Sequence, residues 1–266
     1  MFTQILWALT IGPPLLFLWW VYRLDKQERE PKGLMIKLFL IGVASAIPIA
    51  FVEVFISGFN PFSEGELAYA FFEAFLVAAL CEEVGKFICM KWLTWKSKHF
   101  NYRYDGIVYA VAVSLGFAAI ENVVYVFDPD GSALVTAILR MILSIPAHLM
   151  FAISMGLFYG PMKWADNMGN KKAVSAFHTL SLLIPILLHG FYDFCLMAEN
   201  RLLLLIFLGF VIIMDIFGII ITITSSKRDQ LIVNPEQIEP PQPMYPPSPD
   251  FTPIQPISQD QPNGNS

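Results

Sequence analysis

An all-α, polytopic transmembrane helix bundle of about seven spans is what this 266-residue chain predicts, on three observations. Hydrophobic residues make up 56% of it and charged residues only 15%, with a mean hydropathy of +0.57, too apolar for an ordinary soluble domain. The charges are gathered between long uncharged runs. Those runs are each about 19 to 27 residues long, enough to cross a hydrocarbon core of about 30 Å with some tilt.

The first run, 4–22, has no basic leader and ends in a charged turn, so it reads as a retained span and not as a cleavable signal. The second, 34–57, starts beside Lys32 and Lys37 and carries Glu53 near its far end. The third, 67–93, holds Glu73 near its start and then Glu82, Glu83 and Lys86 at mid-depth, where ionisable groups are costly. The fourth, 106–127, carries Glu121 and Asn122; the fifth, 134–159, carries Arg140, Pro146 and His148. The sixth, 173–197, places His189 and Asp193 one turn apart, four residues after Pro185. The seventh, 202–224, contains a central Asp215 with no partner at helical spacing.

The 17 basic residues orient these spans. Arg23, Lys26, Arg29, Lys32 and Lys37 border the first turn; Lys91, Lys96, Lys98 and Arg103 follow the third span; Lys163, Lys171 and Lys172 follow the fifth; Lys227 and Arg228 follow the seventh. The opposite loops hold only Arg201, so the bias of positive charge toward the cytoplasm puts the N-terminus out and the C-terminus in. Net charge is −5 and the basic residues are dispersed over several loops, which excludes a nucleic-acid footprint. Cys81, Cys89 and Cys195 all fall within spans, an odd number that argues against a disulfide framework.

Two units follow: a membrane unit, 1–224, and a tail, 225–266. Ten of the 19 prolines lie between Pro235 and Pro262, among Gln, Ser, Asp and Glu, a composition that predicts a disordered cytoplasmic tail. Its Pro-Pro steps suit the aromatic-lined groove of a cytoplasmic partner, if the tail has one.

Within the membrane, Glu82 and Lys86 share a helix face and predict an ion pair that leaves Glu83 freer to titrate. Two adjacent carboxylates titrate as a coupled unit, a state suited to general acid/base work. Counted from the cytoplasmic ends at about 1.5 Å per residue, Glu83 lies near ~15 Å, His148 near ~18 Å, Glu121 near ~22 Å and His189 near ~24 Å, so these groups can meet in the bundle. Pro146 and Pro185 free carbonyls beside the two histidines, which predicts kinks and a hydrated cavity there. A salt bridge from Arg140 to Glu121 is the simplest way to hold the arginine at depth. Glu53 and Glu73 lie near outer span ends and reach the interface; His99 and His178 are poor site candidates.

The string DGIVYAVAVSLGFAAIENVVYV, preceded by CEEVGK and followed by RMILSIPAHLMF and LLHGFYDF, resembles the PrsW family of intramembrane proteases. The likeness runs from about Tyr22, with RLDKQEREP as the charged first loop, to about Phe194. The same membrane core is shared with the CAAX prenyl endopeptidases and with bacteriocin-processing and immunity proteins. The resemblance implies that Glu82 and Glu83 are the paired glutamates required for activity and Lys86 the basic residue after them. It also matches Glu121 with Asn122 to the acid and amide of the next span, His148 to the first essential histidine, and His189 with Asp193 to the last motif. In the CAAX enzymes that last position is usually Asn and serves the oxyanion, a role that an ionised Asp193 does not suit.

Peptide hydrolysis needs a base to activate water and a positive group for the tetrahedral oxyanion. In a metal-free version, Glu82 or Glu83 with His148 deprotonates water and His189, oriented by Asp193, donates to the oxyanion. In a metal version, His148, His189 and one glutamate bind zinc and the other glutamate is the base. The residues lean slightly to the former, since no HExxH motif is present. The expected activity is an intramembrane endopeptidase acting on a membrane-anchored regulatory protein of the anti-sigma-factor kind, in a prokaryotic cell membrane. Two other classes compete: a proton- or ion-coupled transporter, which would use Asp215 and Glu73, and a non-catalytic member that binds a membrane partner.

Overall fold

The computed structural model describes residues 2–129 and 131–232; the Pro-rich tail lies outside the described residues, apart from 225–232. Seven helical rods correspond to the seven expected spans: α1, Phe2–Leu24; α2, Lys32–Ser57; α3, 67–94; α4, Asp105–Val126; α5, Ala133–Asn167; α6, Lys171–Met197; and α7, Arg201–Lys227. Six are long and apolar enough to cross a membrane; α3 is as long but carries Glu73, Glu82, Glu83, Lys86 and Lys91. Large side chains such as Phe51, Val54 and Trp92 are about three-quarters exposed on the outside of the bundle, the face that lipid would cover.

Helix α4 is the hub, with 78% of its apolar window buried against 17% for α2. Small residues bring its neighbours to backbone contact, as van der Waals packing in lipid requires. A β-carbon on Gly116 would collide with the carbonyl of Phe39 in α2, and one on Gly156 in α5 would collide with the backbone of Gly106 and Ile107. Helices α5 and α6 are joined by a tight turn. Gly169 takes a left-handed φ of 68° just past α5, and the side chain of Asn170 caps α6 by accepting from the amide of Ala173.

Two rods are not regular. A π-helical stretch, Phe72–Ala79, ends with the Leu80 amide bonded to the Phe75 carbonyl, and a second, Arg140–Ser144, ends with the Ile145 amide bonded to the Arg140 carbonyl. Each ends a few residues before a polar group of interest, Glu82 and Glu83 in one case and His148 in the other. The second stretch ends immediately before Pro146, so the irregularity expected at this proline is a widened turn on its N-terminal side.

All the Lys- and Arg-rich loops meet at one end. Asn101 donates to Glu28, the Tyr104 hydroxyl donates to the Val21 carbonyl, and the Ser226 hydroxyl donates to the Leu24 carbonyl. Residues beyond α7 fold back onto this end: the Ile232 amide donates to the Asn101 carbonyl, Asn167 donates to the Ile232 carbonyl, and the Ile232 side chain is buried. Thus the described start of the expected tail, up to Ile232, is docked on the bundle. Asp25 and Glu30 of the α1–α2 loop are buried here. Burial, with Asp229 nearby, pushes the Asp25 carboxyl up to about 6, and burial pushes Glu30 up to about 7.

Candidate active site

Three helices converge on a buried polar cluster near the middle of the bundle. The first turns of α3 beyond its π stretch bring Glu82 and Glu83 inward, with Glu83 fully buried. Lys86, one turn on, lies between them: its ammonium is 2.8 Å from Glu82 Oε2 and 2.8 Å from Glu83 Oε1. The expected pair of Glu82 with Lys86 alone is therefore corrected, because residues three and four positions back both lie on the lysine's side of the helix. The same ammonium is 3.3 Å from His148 Nδ1 and sits over the ring of Phe117 at 4.4 Å.

The histidines are held in the same way. His189 Nε2 is 3.1 Å from Asp193 Oδ2, and its Nδ1 is 3.0 Å from Glu83 Oε1. His148 Nε2 is 2.8 Å from Glu121 Oε2. Each imidazole thus has a carboxylate at Nε2; His148 Nδ1 faces the Lys86 ammonium and so accepts, whereas His189 Nδ1 faces Glu83 Oε1, a contact that needs a proton between the two atoms. The two rings are 5.7 Å apart, and Phe151 stacks on His189 at 4.7 Å. Ser114 of α4 donates to the His148 carbonyl at 3.0 Å, fixing the helix just past its π stretch.

Arg140 fulfils the expected role. Its guanidinium is 3.0 Å from Glu121 Oε2 and its Nε donates to Asn122 Oδ1 at 2.6 Å. Asn122 in turn donates to the Thr10 carbonyl of α1. The Lys86–His148 contact joins the two groups, so all nine expected site and supporting residues lie in one connected network.

Glu53 is the residue that sequence reasoning missed, since it was assigned to the interface. It interacts electrostatically with Glu82, Glu121, Lys86 and His189, and its Oε1 is buried without a hydrogen-bond partner. A signal for it existed in Gly85, which lies against the side chain of Ile49. One turn further along antiparallel α2 is Glu53, and one turn back along α3 is the glutamate pair. Glu73, by contrast, accepts from Asn60 and Ser57 at 2.8 and 3.0 Å and ties the outer α2–α3 loop. Asp215 lies elsewhere, in a 540 Å³ cleft lined by α1, α5 and α7, and His178 packs against Phe87.

Whether a metal suits this site can be tested on the donors. Glu82, Glu83 and His189 each offer an atom within 4.8 Å of the others, and Glu83 Oε2 is buried with no hydrogen-bond partner. Carboxylate oxygens and a neutral imidazole with a carboxylate behind it form a zinc-type donor set. The set differs from the one expected from sequence. His148 is not in the tight group, because its two nitrogens face Lys86 and Glu121.

Comparison with known proteins agrees with the earlier resemblance. Residues 30–220 match the model of the family described as PrsW family intramembrane metalloprotease. The chain is 42% identical over 212 residues to Protease PrsW of Clostridioides difficile (strain 630), covering 79% of this chain and 86% of that one. It is 35% identical to Protease PrsW of Geobacillus kaustophilus (strain HTA426), over 72% and 79% of the two chains. The corresponding protein of Bacillus subtilis (strain 168) is 32% identical, over 72% and 82%. No solved structure matches the chain. A multi-pass helical bundle of this kind, matched over most of its length, belongs to the PrsW family of intramembrane metalloproteases.

Proposed function

We propose that this multi-pass protein of the prokaryotic cell membrane hydrolyses a peptide bond of a membrane-anchored regulatory protein, of the anti-sigma-factor kind, at the Glu82, Glu83, His148 and His189 cluster. The observation that carries the reading is the convergence on one buried spot of acids from α3 and imidazoles from α5 and α6, with His189 3.0 Å from Glu83. Structural ion pairs explain Arg140 with Glu121, but they give no reason for two imidazoles, each backed by a carboxylate, beside a pair of glutamates.

Glu82 is the proposed base. It is the less buried of the pair, whereas Glu83 is enclosed and held by Lys86 and His189. Deprotonating a water at Glu82 produces the nucleophile, and the same carboxylic acid then returns the proton to the leaving amine. Asp193 and Glu121 orient the imidazole rings. Lys86 bridges both glutamates and, with Arg140, counters the charge that develops on the carbonyl oxygen. Of the grouped donors, Glu83 and His189 would hold the metal that the family's description implies, leaving Glu82 beside them as the base, and the metal would supply Lewis-acid polarisation and a water of lowered pKa. This grouping of donors and the family's description together shift the balance from the metal-free version to this one.

The test is co-expression with single-span, anti-sigma-like candidates and mass spectrometry of their fragments. Glu82→Gln, matched for membrane insertion, is expected to abolish the cut. An undiminished fragment would exclude Glu82 as the base.

A further inference from the structure

A cleft of about 210 Å³ with both polar and apolar lining lies at the basic end, where the first turn of α4 meets the ends of α5 and α7. Arg103 and Arg228 line it, with the hydroxyls of Thr224 and Ser225 beside them and Ile107 and Pro161 forming an apolar wall. The Arg103 guanidinium carbon lies 4.9 Å from the centre of the Trp164 ring, which holds the fork in place. Its Nε is buried and has no hydrogen-bond partner. A desolvated donor on a permanent cation, left without an acceptor, costs more than an ordinary orphaned amide and calls for an anionic oxygen.

The one acid in the cleft, Asp229, interacts electrostatically with Arg103 but makes no hydrogen bond to its Nε. Asp229 Oδ1 already accepts from the amides of Tyr104 and Gln230, both at 2.9 Å, and so serves the loop. Arg228 and Thr224 are exposed, so the cleft opens outward between helices at the level where α7 leaves the membrane. Two arginines and two hydroxyls over an apolar wall, at the boundary of the hydrocarbon, form a receptor for phosphate oxygens attached to an apolar body.

We propose that this cleft binds the phosphate-bearing headgroup of an anionic phospholipid from the cytoplasmic leaflet. The bound headgroup links the start of α4, through Arg103, to the end of α7, through Arg228. Between them runs α5, whose Gly160 lies against the Arg103 carbonyl and whose other half carries His148. Occupancy therefore stiffens the packing of the helix that presents an imidazole to the site, whether or not the site cleaves peptides.

The experiment measures thermal stability and lipid retention, by native mass spectrometry, for the full chain in detergent. The probes are phosphatidylglycerol, phosphatidylcholine with the same acyl chains, and inorganic phosphate. Phosphatidylglycerol is expected to stabilise the chain more than phosphatidylcholine, with inorganic phosphate at equal phosphorus having no effect. Arg228→Gln should weaken phosphatidylglycerol retention about fivefold, and Arg103→Gln with Arg228→Gln more than that, given about 1 kcal/mol per basic residue at an anionic surface. Lys171→Gln with Lys172→Gln removes two exposed charges from the same end and should leave the preference intact. Equal effects of the two lipids, or an undiminished preference in Arg228→Gln, would overturn the proposal. Full stabilisation by inorganic phosphate alone would also overturn it, by assigning the cleft to a soluble phosphate.

Discussion

His189 Nε2 lies 3.1 Å from Asp193 Oδ2, one turn further along the same helix. That contact gives Asp193 a partner at the position where the CAAX enzymes usually place Asn. The carboxylate is behind the imidazole, where it orients the ring whose Nδ1 faces Glu83. Asp193→Asn is accordingly expected to lower cleavage 10- to 100-fold, on the scale of about 10–100-fold for such outer partners. Far-UV circular dichroism and thermal unfolding should be little changed. Full activity in this variant would remove Asp193 from the account.

Packing at α4 predicts a folding defect. Gly156→Leu forces a side chain into the backbone of Gly106 and Ile107, where no flexible group can give way. The loss should exceed the roughly 1–3 kcal/mol usual for overpacking, seen as a lower midpoint on thermal unfolding in detergent. The same change at Gly209, which has open space around it, should be tolerated.

Stability should also depend on pH through the α1–α2 loop. Asp25 is pushed up to about 6 from 3.8 and Glu30 up to about 7 from 4.5, chiefly by burial. Between the ordinary and the raised values the folded state binds more protons than the unfolded state, so stability falls as pH rises. Their contribution is fully present below about pH 4 and is lost by about pH 7. Asp25→Asn with Glu30→Gln should flatten this decline in a series of melting curves from pH 4.5 to 8. A slope of the same size in the double variant would assign it to other groups.

Asp215 separates hydrolysis from transport. It lies in a cleft with Trp20, Pro146 and Ile219, and its Oδ1 has no hydrogen-bond partner. A proton relay would need this acid, whereas the proposed hydrolysis does not. Asp215→Asn should therefore leave substrate cleavage within about twofold, in line with the small effects of changes away from a site. A loss as large as that of Glu82→Gln would favour the relay.

Much of this was legible in the sequence because it depends on composition and one-dimensional spacing. Seven apolar runs became seven rods, and equal depth along them brought Glu121 and His148, expected ~4 Å apart in height, to 2.8 Å. What spacing could not supply was helix phase. A π turn adds one residue and rotates everything after it by about 100°, and nothing in Phe72–Ala79 announces one. That rotation bears on which way Glu82 and Glu83 face, and with it on the lysine between them. Glu53 was hidden for a related reason: its neighbours depend on how far α2 slides along α3, and that register is set by contacts such as Ile49 on Gly85. The docking of Ile232 was hidden by composition, because a short apolar step at the start of a polar tail carries no periodicity.

The most direct test of the central claim is the rate of peptide-bond cleavage in proteoliposomes that hold the purified protein and a membrane-anchored substrate identified by co-expression. Wild type and Glu83→Gln are compared after matching their melting curves. The account predicts fragments from the wild type and none from the variant, because Glu83 joins Lys86 and His189 into one site. Cleavage by Glu83→Gln at the wild-type rate would contradict it.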